Sequence, residues 1–177
     1  AACSAQQAAA AHDYSNGMVL FTDAVQYLDR AHAEASLLQA TLGLMDTGCR
    51  VGRCDVAGLA AKAVQLGERT AAPNVQLQVL LRVAALEWDQ ALLAFAEDHL
   101  RQATALAHQL GAAEQEGAAL MGLGMVTSDA SQFGAALAYY HQALDIFHKA
   151  RNIRGAARAL LAVADVRYWI GDLETSA

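Results

Sequence analysis

Two stretches of the sequence, LLRVAALEWDQALLAFAEDHLRQATAL (80–106) and LMGLGMVTSDASQFGAALAYYHQALDI (120–146), match one another at an offset of 40 residues. The same offset extends to LLAVADVRYWIGDLETSA (160–177). The sequence therefore holds three copies of one unit, and a period of this length is typical of a repeat protein. The matching positions are Leu80 with Leu120 and Leu160, Val83 with Leu123 and Val163, Ala84 with Gly124 and Ala164, Asp89 with Asp129, Ala96 with Ala136 and Ser176, Leu100 with Tyr140, Ala103 with Ala143, Phe133 with Leu173, and His108 with His148.

The spacing within each unit predicts a pair of packed helices. In the first helix a leucine is followed, three and four residues later, by a Leu or Val and then by a small residue. The small residue allows a second helix to approach the backbone, so we expect Gly124 and Ala164 to face the second helix of their own units. A turn follows, and the second helix then carries small and large residues on one face, at spacings of four and three: Ala136, Tyr140 and Ala143.

The composition also favours an all-helical protein. Hydrophobic residue types make up 55% of the 177 residues and charged types 17%, and about one residue in four is alanine. Alanine is the strongest helix former, and a disordered chain would be poorer in apolar residues. A β-sandwich or barrel would need more β-branched residues and turns. The length suits one domain, and no linker divides the chain, so we predict a single domain over 1–177.

These repeats resemble the tetratricopeptide repeat family, in the longer variant with units of about 40 residues found in bacterial signalling regulators. The resemblance implies an all-α fold, an α-solenoid in which antiparallel helix pairs stack into a right-handed superhelix. It is carried by Leu120, Leu123, Gly124, Ala136, Tyr140 and Ala143, and then by Leu160, Val163, Ala164, Gly171, Leu173 and Ser176. The predicted units are 1–35, 36–73, 74–113, 114–152 and an incomplete 153–177.

Nine helices are predicted within these units: 4–15, 20–33, 36–48, 54–68, 74–88, 92–110, 114–129, 133–149 and 153–169. A tenth helix is expected to begin near Leu173, after a turn at Gly171–Asp172. The junction at 32–37 has neither Gly nor Pro, so one long helix over 20–48 is an alternative. Because the last pair is incomplete, we expect the chain to be a fragment of a larger regulatory or scaffold protein.

Charge and hydropathy exclude several classes of partner. The net charge is −6 and no basic cluster is present, which argues against direct binding of nucleic acid. No uncharged apolar run approaches the 18 residues of a membrane span. The three cysteines Cys3, Cys49 and Cys54 are an odd number and form no disulfide framework, so a reducing cytoplasm is the predicted compartment.

No arrangement of residues indicates an enzyme, a cofactor site or a metal site. The Gly-x-Gly of Gly122 and Gly124 lies inside a predicted helix, whereas a phosphate loop connects a strand to a helix. His141 and His148 are two helical turns apart, which is too far to share one metal ion without other ligands. His108 and His148 are equivalent in the repeat, so we predict packing or helix-end roles for them.

The resemblance implies a binding surface on the concave face of the superhelix, formed by positions of the first helices. The family's carboxylate clamp needs Lys, Arg and Asn at these positions, and this chain has none there, so that activity is not carried over. The predicted site residues are Leu81, Trp88, Asp89, Met121, Met125, Asp129, Asp165, Tyr168 and Trp169. Two interpretations stay open, an exposed groove and residues covered by neighbouring helices.

We therefore predict a non-catalytic module that recognises a protein or peptide segment through a groove of apolar side chains and aspartates. Methionines and exposed aromatic residues suit adaptable apolar contacts. Two alternatives remain open at this stage. One is a ligand-sensing domain for a small apolar molecule or peptide, and the other is a self-association module that forms homo-oligomers.

Overall fold

A computed structural model describes residues 14–31, 33–50, 55–69 and 72–175, with side chains as far as 171. Within these ranges the chain forms eight helices and no strand, as the sequence predicts. The helices are α1 (Tyr14–Arg30), α2 (Glu34–Arg50), α3 (Val56–Arg69), α4 (Pro73–Asp89), α5 (Leu93–Gln109), α6 (Ala113–Asp129), α7 (Phe133–Lys149) and α8 (Ile153–Thr175).

From α4 onward the helices begin every 20 residues, so one hairpin of two helices gives the 40-residue period of the sequence. Each of the four helices from α4 to α7 has 17 residues, and a short turn joins it to the next. The turn residues Ala91, Gly111, Ser131 and Arg151 all have positive φ, from 54° to 64°. Only one of the four is a glycine, although the left-handed region costs other residues free energy.

The turns after α5, α6 and α7 share one hydrogen-bond pattern, which ends each helix. After α6, the backbone N–H of Ser131 donates to the carbonyl of Ser128 (2.9 Å), and that of Gln132 donates to the carbonyl of Thr127 (2.8 Å). This pair of bonds is the Schellman arrangement, which satisfies carbonyls that a helix end leaves unpaired. The next helix starts at once, and before α8 the Asn152 side chain accepts a hydrogen bond from the N–H of Gly155 (2.9 Å).

The chain forms two compact units, 1–91 and 92–177. The boundary falls between α4 and α5, inside the repeat unit predicted over 74–113. The single domain over 1–177 stays a prediction.

In the first unit, α2 packs against α1 and α3, and α3 packs against α4. The ring of Phe21 is buried with Ala24 and Ala40, and it occupies the space beside Gly43. Ion pairs connect neighbouring helices at the surface, between Lys62 and Asp29, Arg69 and Glu34, and Arg82 and Asp46. Such exposed pairs contribute little stability, so buried apolar side chains hold this unit together.

In the second unit, α6 packs against both α5 and α7, and α8 packs against α7 and more lightly against α6. Glycines on α6 and α8 make room for large side chains from neighbouring helices. A Cβ atom at Gly117 would lie 2.7 Å from Cζ of Phe147, and one at Gly155 would lie 2.7 Å from Cγ of the same ring. The ring of Phe147 is therefore held between α6 and α8, which fixes the spacing of the three helices.

Three features of the predicted helix boundaries differ from the structure. Separate helices at Tyr14–Arg30 and Glu34–Arg50 rule out one long helix over 20–48. The break predicted between the helices 4–15 and 20–33 is wrong, because α1 is continuous over Tyr14–Arg30, while residues 4–13 of the first predicted helix lie outside the described residues. The predicted break at Gly171–Asp172 is wrong, because α8 runs unbroken to Thr175. A glycine within a helix costs only about 1 kcal/mol, so it does not end a helix by itself.

The predicted close approach is confirmed for Gly124 and wrong for Ala164. The ring of Tyr140 on α7 lies against the backbone of Gly124. Ala164 is exposed, because α8 continues as one helix where the second helix of its unit was expected.

Candidate functional site

The predicted site residues fall on three helices and in both units. Leu81 and Trp88 on α4 are half-buried, and Asp89 ends that helix in an exposed position. These three residues belong to the first unit. The remaining six lie on α6 and α8 of the second unit, and the site is described from these two helices.

On α6, burial separates the three predicted residues. The Met121 side chain is 7% exposed, so it is part of the core of the unit rather than an open contact residue. Met125 is half-buried and Asp129 is exposed. Met125 and Asp129 are one helical turn apart and so share a face, on which an apolar side chain lies next to a carboxylate.

On α8, the three predicted residues form an exposed group. Tyr168 is 66% exposed and Trp169 is 58% exposed. Their rings meet edge to face, with centroids 5.9 Å apart and an angle of 72° between the planes. Asp165 is exposed one turn earlier on the same helix, within reach of both rings. Tyr and Trp are enriched at protein interfaces relative to the rest of the surface, so two exposed aromatic rings indicate a binding surface.

Tyr140 on α7 connects the acidic residues of α6 and α8. Burial, and then the negative charges of Asp129 and Asp165, raise the pKa of Tyr140 to about 12. A carboxylate has this effect only when it lies near the phenol, because charge interactions weaken with distance. Both carboxylates are therefore close enough to the Tyr140 phenol to affect its pKa. We call Met125, Asp129, Asp165, Tyr168 and Trp169 the acidic–aromatic surface.

The sequence identified Tyr140 only as a packing residue and gave no sign of its link to the two aspartates. Tyr140 lies on the second helix of its unit, whereas the family resemblance assigns binding positions to the first helices. The pairing of Gly124 on one helix with a large residue, Tyr140, on the next was the signal in the sequence. A large side chain opposite a glycine can reach across the contact between two helices, so this pairing indicates that the Tyr140 ring extends toward α6.

The described residues show no cluster of three His, Cys, Asp or Glu side chains that could hold a metal ion. His108, for which a packing or helix-end role was predicted, lies in the last turn of α5 and contacts α6, with 3.0 Å between its Nδ1 and Oε1 of Glu116. Among the described residues, no helix is long and apolar enough to cross a membrane.

No family model matches the sequence, and no curated protein matches it significantly. Solved structures, however, share its fold. The BtubC protein from P. vanneervenii superposes with a TM-score of 0.62 at 19% identity, over 92% of this chain and 66% of its own. A Rap protein complexed with competence and sporulation factor gives a TM-score of 0.66 at 16% identity, over 97% and 48%.

A third similar structure is a signal transduction ATPase from Pyrococcus horikoshii that has a tetratricopeptide repeat sensor. Its TM-score is 0.71 at 14% identity, over 93% of this chain and 26% of that protein. At such identities the similarity shows the fold alone, which is a helical repeat of the tetratricopeptide type. The chain spans about two thirds, a half and a quarter of these three proteins.

Proposed function

We propose that this chain is a non-catalytic recognition module that binds a protein or peptide segment on the acidic–aromatic surface. The observation that carries the proposal is the exposed group on α8, where Asp165 lies within one helical turn of the exposed rings of Tyr168 and Trp169. Asp129 on α6 is a second exposed carboxylate, and its charge, like that of Asp165, raises the pKa of Tyr140.

The chemistry of this surface selects a class of ligand. Trp169 and Tyr168 offer large apolar areas that gain affinity when a ligand covers them. Asp129 and Asp165 attract cationic groups and repel acidic ones, in a chain whose net charge is already −6. The expected ligand is therefore a segment with lysine or arginine close to large apolar residues.

Two of the similar structures support this role. The Rap structure holds a competence and sporulation factor, and the Pyrococcus horikoshii protein is described as having a repeat sensor. Recognition of a peptide or protein segment by the same fold is the use that we propose here. Trp88, Leu81 and Asp89 on α4 are separate candidates within the first unit.

Selection from a random peptide library displayed on phage, against the immobilised 177-residue chain, tests the proposal. The selected sequences should be rich in Lys or Arg next to Leu, Phe or Trp. Their binding should be lost in Trp169→Ala and in the double variant Asp129→Asn/Asp165→Asn. Met125→Glu should also abolish binding, because it places a charge in a surface that a ligand must desolvate.

Matched controls separate the site from general effects of substitution. Phe95→Ala removes an exposed aromatic ring from α5, and Asp145→Asn removes an exposed carboxylate from α7. Both controls should bind the selected peptides normally. Trp88→Ala shows whether α4 takes part. Selected peptides that are acidic, or that bind the Trp169→Ala and Asp129→Asn/Asp165→Asn proteins as well as the parent, would contradict the proposal.

A further inference from the structure

Helix α8 carries two apolar stripes, and only one of them is covered. The first stripe packs into the second unit and includes Ala156, Ala159, Val163 and Val166, each at most 7% exposed. The second stripe faces away from it and is exposed along its whole length. Its members are Ile153, Ala157, Leu160, Leu161, Ala164 and Tyr168, and we call them the outer stripe.

Equivalent positions on α6 show what kind of surface the outer stripe is. Forty residues earlier, Gly117, Leu120 and Gly124 are buried in place of Ala157, Leu160 and Ala164. Helix α7 covers them, with Phe147 against Gly117 and Tyr140 against Gly124. The outer stripe thus has the layout of a surface that packs against a helix. No helix within the described ranges of the chain covers it.

The arrangement of side chains in the outer stripe is symmetric. Its centre lies between Leu160 and Leu161, and from there the same sizes follow in both directions. An alanine comes three residues away, at Ala157 and Ala164, and a large apolar residue comes four residues further, at Ile153 and Tyr168. A second α8 laid antiparallel over the first, about a two-fold axis, would place alanine opposite alanine and allow the backbones to approach closely.

The charges beside the outer stripe agree with the same antiparallel pairing. Arg158 and Asp165 are exposed on one flank, three residues before and four residues after Leu161. In an antiparallel pair this flank meets the same flank of the other helix, so Arg158 of each copy comes near Asp165 of the other. The two positions differ in distance from the centre by two residues, or about 3 Å, which an arginine side chain can span.

We propose that the outer stripe binds a second copy of this chain, through an antiparallel pair of α8 helices with two intermolecular contacts between Arg158 and Asp165. One pair of helices makes a small interface, so we expect a reversible dimer rather than an obligate one. This goes beyond the recognition function. Because Tyr168 belongs to both surfaces and Asp165 would contact Arg158 of the second copy, dimer formation and binding of a segment compete.

Sedimentation velocity of the 177-residue chain, from about 1 to about 300 µM, tests the proposal directly. The parent chain should pass from monomer to dimer over this range. Ala164→Arg should keep it monomeric, because the substitution places a charge at the closest approach of the two helices. Ala138→Arg, at an exposed position on α7, is the matched control and should dimerise like the parent chain. Circular dichroism shows that each variant keeps its helices.

Exchange of the two charges tests the antiparallel register. Arg158→Asp and Asp165→Arg should each raise the dimer Kd at least about tenfold, because like charges then face one another. The double variant R158D/D165R should restore the Kd, since it exchanges both members of each intermolecular pair. Seven residues separate the two positions, so they do not contact one another within one helix.

Three results would overturn the proposal. The first is a parent chain that stays monomeric at every concentration, which would leave the outer stripe to a helix of another polypeptide. The second is a dimer that Ala164→Arg does not weaken. The third is a double variant that dimerises no better than the single ones. Peptide binding measured with Ala157→Arg, which should also prevent the dimer, keeps this test separate from that of the recognition function, since Ala157 lies about 12 Å along the helix from Asp165.

Discussion

The ring of Tyr140 on α7 fills the space that the missing side chain of Gly124 leaves on α6. A Cβ atom built at Gly124 would lie 2.5 Å from Cδ1 and 2.8 Å from Cζ of this ring. Atoms cannot approach so closely, and both residues are buried, so neither has room to move away. The contact holds the two helices of one repeat together and fixes the position of the phenol, whose pKa Asp129 and Asp165 help to raise.

Gly124→Leu should lower the free energy of unfolding by roughly 2–4 kcal/mol, at or above the usual range for overpacking a tight site. Urea denaturation followed by circular dichroism measures the change. Gly134→Leu on α7 is the matched control, because no atom lies within 4 Å of a Cβ built at that position. Equal stability of the two variants would show that the Tyr140 ring can pack just as well when position 124 carries a side chain, which would contradict the account.

Tyr140 should make the fold sensitive to alkaline pH. Its pKa is about 12 in the folded chain, against 10.0 for an unperturbed tyrosine. The folded state therefore favours the neutral phenol, and the stability linked to this group is complete below pH 10. It is lost as the pH rises from about 10 toward about 12, because the unfolded chain releases the proton first.

Between pH 10 and 12, the free energy of unfolding of Tyr140→Phe should fall less than that of the parent chain, because the variant has no phenol at position 140 to lose a proton. Urea denaturation at a series of pH values measures it. Tyr27→Phe, which removes an exposed phenol from α1, should retain the loss seen in the parent chain. A Tyr140→Phe protein whose alkaline loss matches that of the parent would refute the assignment.

The left-handed turn residues predict a stabilising substitution. Ser131 has a φ of 59° at the position where a Schellman turn favours glycine. Ser131→Gly should raise the free energy of unfolding by about 0.5–1 kcal/mol, because relief of strain exceeds the entropy that glycine adds to the unfolded chain. Ser131→Ala keeps the strain and should change stability much less. A thermal melt distinguishes the two, and a Ser131→Gly protein that melts below the parent would contradict the interpretation.

The sequence predicted the second unit well where packing repeats. The 40-residue offset gave α7 with its observed bounds and α6 to within one residue, and it identified Gly124 as the position of close approach. A repeat reveals such features because each copy solves the same packing problem with similar residues.

Other features left no mark in the sequence. Ala91, Ser131 and Arg151 adopt the left-handed conformation without being glycine, so the usual turn signal was missing. Met121 is buried although the repeat assigns it to a binding surface, because burial depends on the size of neighbouring side chains as well as on register. The effect of both Asp129 and Asp165 on the pKa of Tyr140 depends on how three helices pack, which no single stretch of sequence encodes.

Fluorescence of Trp169 tests the central claim, recognition on the acidic–aromatic surface, most directly. The chain has two tryptophans, so Trp88→Phe leaves Trp169 as the single emitter. We predict that the tightest-binding phage-selected peptide without tryptophan shifts this emission to shorter wavelength and protects it from quenching by iodide, as the exposed ring is covered. Binding that saturates by fluorescence anisotropy of the labelled peptide, while the emission and quenching of Trp169 stay unchanged, would contradict the account.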